Sequence, residues 1–152
     1  MAETIAIASD HAAFEMKAAL AQWLRDEGHD VRDLGPEDMS SVDYPDYGYK
    51  IAEAIAAGEA AKGIALCGSG IGISIAVNRH PAARCALVSE MLSARLAREH
   101  NDANVIALGA RLIGIEQAQA CITAFLSTAF VGDRHLRRVE KLTHPRFHKE
   151  NA

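Results

Sequence analysis

An α/β fold with a parallel sheet covered on both faces by helices is predicted by three observations. Short apolar, β-rich runs recur along the chain, amphipathic stretches of helical period separate them, and glycine, proline or polar clusters mark the junctions. Strands alternating with helices at this spacing imply βαβ units, and hence right-handed crossovers and a buried parallel sheet. With 152 residues, 49% of them hydrophobic, the chain suits a single domain over residues 1–152 with one well-buried core.

Thr4-Ile5-Ala6-Ile7-Ala8 is the first strand, bounded by Ser9-Asp10-His11. Residues 13–27, with Phe14, Leu20, Trp23 and Leu24 among alanines and charges, read as an amphipathic helix that stops at Gly28. Residues 30–34 give a second strand closed by Gly35-Pro36, and residues 37–47 are polar and turn-rich. Asp46 is placed to cap a helix running to Ala57, with Ile51, Ala54 and Ile55 on one face and Gly58 at its end. A third strand, Gly63-Ile64-Ala65-Leu66-Cys67, runs into alternate glycines and an apolar helix that Asn78-Arg79-His80-Pro81 closes. Cys85-Ala86-Leu87-Val88 is the fourth strand, and Ser89 is the N-cap expected for a helix through His100. Val105-Ile106-Ala107-Leu108, ended by Gly109, is the fifth, and residues 115–128 form a further helix. A short basic helix near residues 134–142 completes the pattern, with Leu136 and Val139 directed inward.

Composition removes several classes of function. A formal net charge of −4 argues against general nucleic-acid affinity, and no apolar window is long enough to span a bilayer, so no nucleic-acid or membrane partner is expected. Met1-Ala2-Glu3-Thr4 lacks the basic and apolar regions of a secretory signal, which makes a cytoplasmic location the default expectation. Cys67, Cys85 and Cys121 are odd in number and lack C-x-x-C spacing, so they read as reduced thiols, Cys85 and Cys121 as small buried side chains.

In open parallel sheets ligands bind beyond the carboxyl ends of the strands. The polar residues there are Asp10 and His11, Cys67 with its glycines, Ser89 and Glu90, and Gly109 to Arg111. Cys67-Gly68-Ser69-Gly70-Ile71-Gly72-Ile73-Ser74 has the character of an anion site. Its glycines let backbone N–H groups approach a ligand, and a helix start directs its positive end at the same spot. A dinucleotide fingerprint would need its third glycine at position 73, which is Ile73, and no Gly-Lys-Ser/Thr of a Walker A loop follows. Cys67 has two readings, a buried strand-end thiol and a thiolate base or nucleophile. Arg134 and Arg138 lie one helical turn apart, a spacing that suits two guanidiniums to a phosphate monoester and equally a solvated basic helix. Of seven histidines, His11 and His100 stand out at element ends, where imidazole is suited to proton transfer or to capping.

Taken together, Asp10-His11, Asp43-Tyr44-Pro45, the Cys67 to Ser74 block, Asn78-Arg79, His100-Asn101-Asp102-Ala103-Asn104, Gly109-Ala110-Arg111 and Arg134-His135-x-x-Arg138-Val139-Glu140 closely resemble ribose-5-phosphate isomerase type B. The resemblance covers roughly residues 4–142. It implies a Rossmann-like αβα sandwich with a five-stranded parallel sheet and a C-terminal helix. It further implies a phosphosugar substrate, no cofactor, no metal, and a homodimer with shared active sites, sometimes paired into tetramers. The reaction implied is aldose–ketose interconversion of ribose 5-phosphate and ribulose 5-phosphate through a cis-enediolate; relatives act on allose, galactose and tetrulose phosphates. Carried over by resemblance, Cys67 is the carbon-proton base, the amides of Gly68, Gly70, Ile71, Gly72, Ile73 and Ser74 form the anion hole, and Ser69 assists proton movement between oxygens. His100, reaching from the partner subunit, opens the sugar ring with Asp10 opposite it. Tyr44 and Asn101 contact hydroxyls, while His11, Arg111, Arg134 and Arg138 form the phosphate clamp, with His135 a lesser candidate. One branch of the family has a glutamate base where this chain has Ile73, so Cys67 and Ile73 together resemble the cysteine branch. The rival from another class is a silent sugar-phosphate-binding module; intact Cys67, His100 and paired arginines count against it. The tail after Leu142 is given no catalytic role.

Overall fold

The structure, a computed structural model, describes residues 3–148. Met1 and Ala2, on which the N-terminal reading partly rests, lie outside the described residues. Strands β1 (Thr4–Ser9), β2 (Asp30–Asp33), β3 (Lys62–Cys67), β4 (Cys85–Leu87) and β5 (Val105–Gly109) form one parallel sheet in the order β2-β1-β3-β5-β4. Helices α1 (Phe14–Asp26), α4 (Met91–Asn101) and α5 (Ile115–Ser127) cover one face. The other carries α2 (Tyr44–Ala56) and α3 (Ile71–Val77), and α6 (Leu136–Thr143) follows a 3-10 turn at Asp133–His135. The expected αβα sandwich with a five-stranded parallel sheet and a C-terminal helix is therefore present. Among the described residues no helix is long and apolar enough to cross a membrane.

The period of two along the strands sorts side chains by size. Ile5, Ile7, Ile64, Leu66, Ile106 and Leu108 pack against α1, α4 and α5, whereas Ala8, Ala65, Cys67 and Ala107 face α2 and α3. Small residues bring the second layer close. A Cβ on Gly63 would meet Ile51 Cγ2 at 2.6 Å, and one on Gly48 would meet Ala76 Cβ at 2.8 Å. Lys17, only 2% exposed, ties the first layer to the end of β2: it pairs with Asp33 at 2.8 Å and donates to the Pro36 carbonyl at 2.8 Å.

Three local expectations need correction. Helix α2 starts at Tyr44 with Asp43 as N-cap and Pro45 in its first turn, so Asp46 lies inside the helix and does not cap it. The N-cap of α4 is Glu90, whose carboxylate accepts from the Leu92 and Ser93 amides, and Ser89 stands one residue outside. In the C-terminal helix Val139 turns inward but Leu136 is exposed, because His135 takes the buried place beside it.

Topology then places the crevice. After β1 the chain continues into α1 on one face, and after β3 into α3 on the other; β5 feeds α5 back on the first. Opposed departures on both sides of β3 leave an open cleft beyond its carboxyl end, where Cys67 is the last strand residue.

Candidate active site

At the carboxyl edge of the sheet the chain turns sharply after Cys67. Gly70 takes φ +77°, a left-handed conformation that favours glycine, and the turn folds back so that the Gly70 N–H donates to Cys67 Sγ at 3.1 Å. The sulfur thus sits on the inner side of the turn, with the residue 4% exposed. Ser69 Oγ accepts from the Ile71 amide at 3.1 Å, and the Ser74 amide and hydroxyl are both spent within α3, on Gly70 O and Ile71 O. Of the amides expected to form an anion hole, those of Gly70, Ile71 and Ser74 therefore already have partners. Gly72 and Ile73 hold first-turn positions, whose N–H groups a helix leaves unpaired. The Ile73 side chain belongs to the core.

Neighbouring elements close around this turn. A Cβ at Gly109, the end of β5, would lie 2.6 Å from Ser69 O, so only glycine lets the turn rest on that strand. The sequence placed Gly109 at the end of the fifth strand and in the crevice; the structure adds its contact with the turn. The Arg111 side chain lies over Gly68 and the Tyr44 ring over Gly72, each within van der Waals reach of where a Cβ would be. From β1 come Asp10, whose Oδ1 accepts from Ala13 N, and His11, whose Nδ1 accepts from Val42 N at 3.1 Å. That contact leaves Nε2 as the protonated nitrogen of a neutral His11 ring. Asp10, His11, Tyr44, Cys67, Ser69 and Arg111 are thereby gathered at one pole.

The remaining candidates lie at the other pole. Helix α4 runs back from the carboxyl edge to the amino edge, so His100 and Asn101 at its end precede β5. There His135 stacks on His100, with ring centroids 4.5 Å apart and planes inclined by 15°, which brings Arg134 and Arg138 to the same edge. Burial first, then the nearby Arg134, hold the His135 imidazole below its ordinary value, with smaller contributions from His100 and Arg138. The rest of the His-Asn-Asp-Ala-Asn block is structural. Asp102 ends α4 at φ +46° and pairs with Arg98 at 2.8 Å and Arg84 at 3.3 Å, while Asn104 bridges the Arg84 amide and the Ala82 carbonyl. The poles lie at opposite ends of β5, a five-residue strand about 15 Å long at ~3.3 Å per residue.

Ser89 and Glu90 follow the edge strand β4, and Glu90 is committed to capping α4. Cys121 is buried in the core as expected, whereas Cys85 is only half-buried, packed at the margin of the second layer, its thiol pushed up to about 12 by desolvation. Among the described residues no group of three or more His, Cys, Asp or Glu side chains is arranged to hold a metal ion.

Residues 5–142 match the sequence profile of the Ribose/Galactose Isomerase family. The chain is 42% identical over 139 residues to ribose-5-phosphate isomerase B of Escherichia coli, covering 91% of this chain and 93% of the other. It is 40% identical to the galactose-6-phosphate isomerase subunit LacB of Clostridium acetobutylicum, over 83% of this chain and 73% of that one. The crystal structure of a ribose 5-phosphate isomerase from Thermotoga maritima superposes with a TM-score of 0.92 at 49% identity, covering 93% of this chain and 98% of the other. With the family profile matched over residues 5–142 and relatives at 40% identity or more over most of the chain, this chain belongs to the ribose/galactose isomerase family.

Proposed function

We propose that the protein interconverts D-ribose 5-phosphate and D-ribulose 5-phosphate through a cis-enediolate, with Cys67 as the base and no metal or cofactor. The observation that carries the reading is the placement of the Cys67 sulfur inside a glycine turn that also presents first-turn amides. A base and oxyanion donors on one rigid turn are what proton transfer between adjacent carbons needs. The Cys67 thiolate takes the C2 proton of the open-chain aldose. The electron pair forms the C1–C2 double bond, and charge passes to O1, where the Gly72 and Ile73 amides donate. Ser69 passes a proton between O2 and O1, and the thiol returns the carbon proton to C1, leaving the ketone at C2. Atoms and electrons balance without an outside oxidant.

His100 with Asn101, Arg134 and Arg138 completes this site from a second copy of the chain. The two poles of one chain are too far apart to meet on a pentose phosphate, whereas a homodimer lets the amino-edge pole of one subunit close the carboxyl-edge pole of the other. His100 of the partner then opens the sugar ring opposite Asp10, and the arginines, with His11 and Arg111, hold the phosphate.

Assay of the purified protein with both sugars and EDTA present tests the reading: turnover of both is expected, and turnover of neither defeats it. The 40% identity to the LacB subunit favours one second reading, a different phosphosugar in the same chemistry. A panel of ribose 5-, allose 6-, galactose 6- and tetrulose 4-phosphates decides by kcat/KM, because a missing hydroxyl contact discriminates strongly.

A further inference from the structure

Beside His100 lies a second imidazole to which the proposed chemistry gives no defined task. His135 is 7% exposed, while Arg134, Leu136 and Arg138 around it are open to solvent. Its ring lies nearly parallel to that of His100, 4.5 Å away. Two imidazoles in face contact resist carrying a proton each, because like charges at that separation repel and the buried ring has little water to screen it. The charged groups around the pair settle which ring gives way. Arg134 and Asp133 flank His135 on its own turn, Arg138 faces it from α6 and His100 from α4. Burial and the cations outweigh the opposing pull of Asp133, so His135 is the ring disfavoured for protonation. His100 is the half-buried ring at the C-terminal end of α4, and it is the one the isomerase reading assigns to opening the sugar.

We infer that His135 is a positioning residue: its ring face fixes the plane of the His100 imidazole and leaves His100 to carry the proton delivered to the sugar's ring oxygen. The inference rests on the isomerase reading above. It departs from a phosphate-clamp role, since a ring disfavoured for protonation and packed against another imidazole is a poor partner for a phosphate dianion.

Two variants separate ring from charge. His135→Ala removes the stacking face, and His135→Phe keeps a planar ring without a titratable group. With ribose 5-phosphate, His135→Ala is expected to lower kcat about tenfold at a KM within about twofold, and His135→Phe to stay within about threefold of the unaltered kcat. A KM rise at constant kcat in both variants would mean direct phosphate contact and overturn the inference; so would equal losses of kcat in both. If His135→Ala does not fold, the threefold limit on His135→Phe stands as the kinetic test. A second readout needs no substrate. The His135 ring proton, followed by NMR, is expected to titrate below the ordinary imidazole value and to move upward in His100→Phe; a midpoint that does not move overturns the coupling. Absence of turnover in the unaltered protein defeats the functional reading and this inference together, whereas turnover with any of the adverse results defeats this inference alone.

Discussion

Cys67 is small and buried, and among the described residues its sulfur is bonded to one backbone amide, so its side chain can be altered with little cost to packing. Cys67→Ala is expected to lower kcat by about a thousandfold, the scale of a lost general base, with a thermal midpoint close to that of the unaltered protein. Steady-state rates beside a melting curve check this; activity that survives unchanged removes Cys67 from the chemistry. His135 makes the opposite kind of prediction. Its folded value lies below the ordinary 6.5, so the folded chain resists the proton that the unfolded chain accepts. The stability this contributes is fully present above that ordinary value and is lost as pH falls below it. The gap in Tm between the unaltered protein and His135→Phe should therefore narrow or reverse as pH is lowered from neutral, as calorimetry across that range would register. The sequence ranked these two residues unequally for a physical reason. Cys67 sits at a strand end before glycines, a local pattern, whereas His135 looks like one member of a basic run and acquires its character only when α4 arrives beside it.

At the level of elements, Lys17 shows how a helix can hold a loop that serves the site. Its ammonium joins α1 to Asp33 and Pro36, and the loop that follows leads to Val42, bonded to His11, and to Tyr44, over Gly72. Lys17→Met keeps the apolar stem but leaves the half-exposed Asp33 without its partner. A loss of about 2 kcal/mol in denaturant unfolding is expected, less than for a fully buried pair, together with a raised KM. An unchanged KM would separate the loop from the site. Element type and order were legible because periodicity is local, and the strand ends at Cys67 and Gly109 followed from the same pattern. Starts were less so. Asp43 and Asp46, or Ser89 and Glu90, are all competent N-caps, and only the backbone conformation of Asp43 and Glu90, extended where their rivals are not placed to cap, decides between them. Strand order was not legible at all, since which strand inserts between β3 and β4 depends on layer packing across the sheet.

For the whole molecule, the separation of the two poles makes the proposed assembly testable by mixing. Cys67→Ala and His100→Ala each disable both sites of their own homodimer. In a mixed dimer one site collects both lesions and the other collects neither. Refolding an equal mixture should restore about a quarter of the unaltered activity, half the dimers being mixed with one working site in each. A mixture as inactive as its components would place His100 and Cys67 in the same subunit's chemistry or outside it. The sequence held the residues of both poles but gave no sign of their distance apart, because the run of α4 back across the sheet is a property of the fold.

The unequal layers of the sheet have a bearing on how such a chain can drift. On the face of Ile5, Ile7, Leu66 and Leu108, trimming a methylene leaves a small void, a cost of about 1 kcal/mol that neighbours can partly absorb. On the face of Ala65, Ala107, Gly63 and Gly48 there is nothing to trim and no room to add, and any enlargement pushes α2 and α3 outward. Those two helices carry Tyr44 and the glycine turn. Substitutions accumulating over generations should thus enter freely on the thick side and scarcely at all on the thin one, so that the half of the core beneath the chemistry ages more slowly than the half that only supports it.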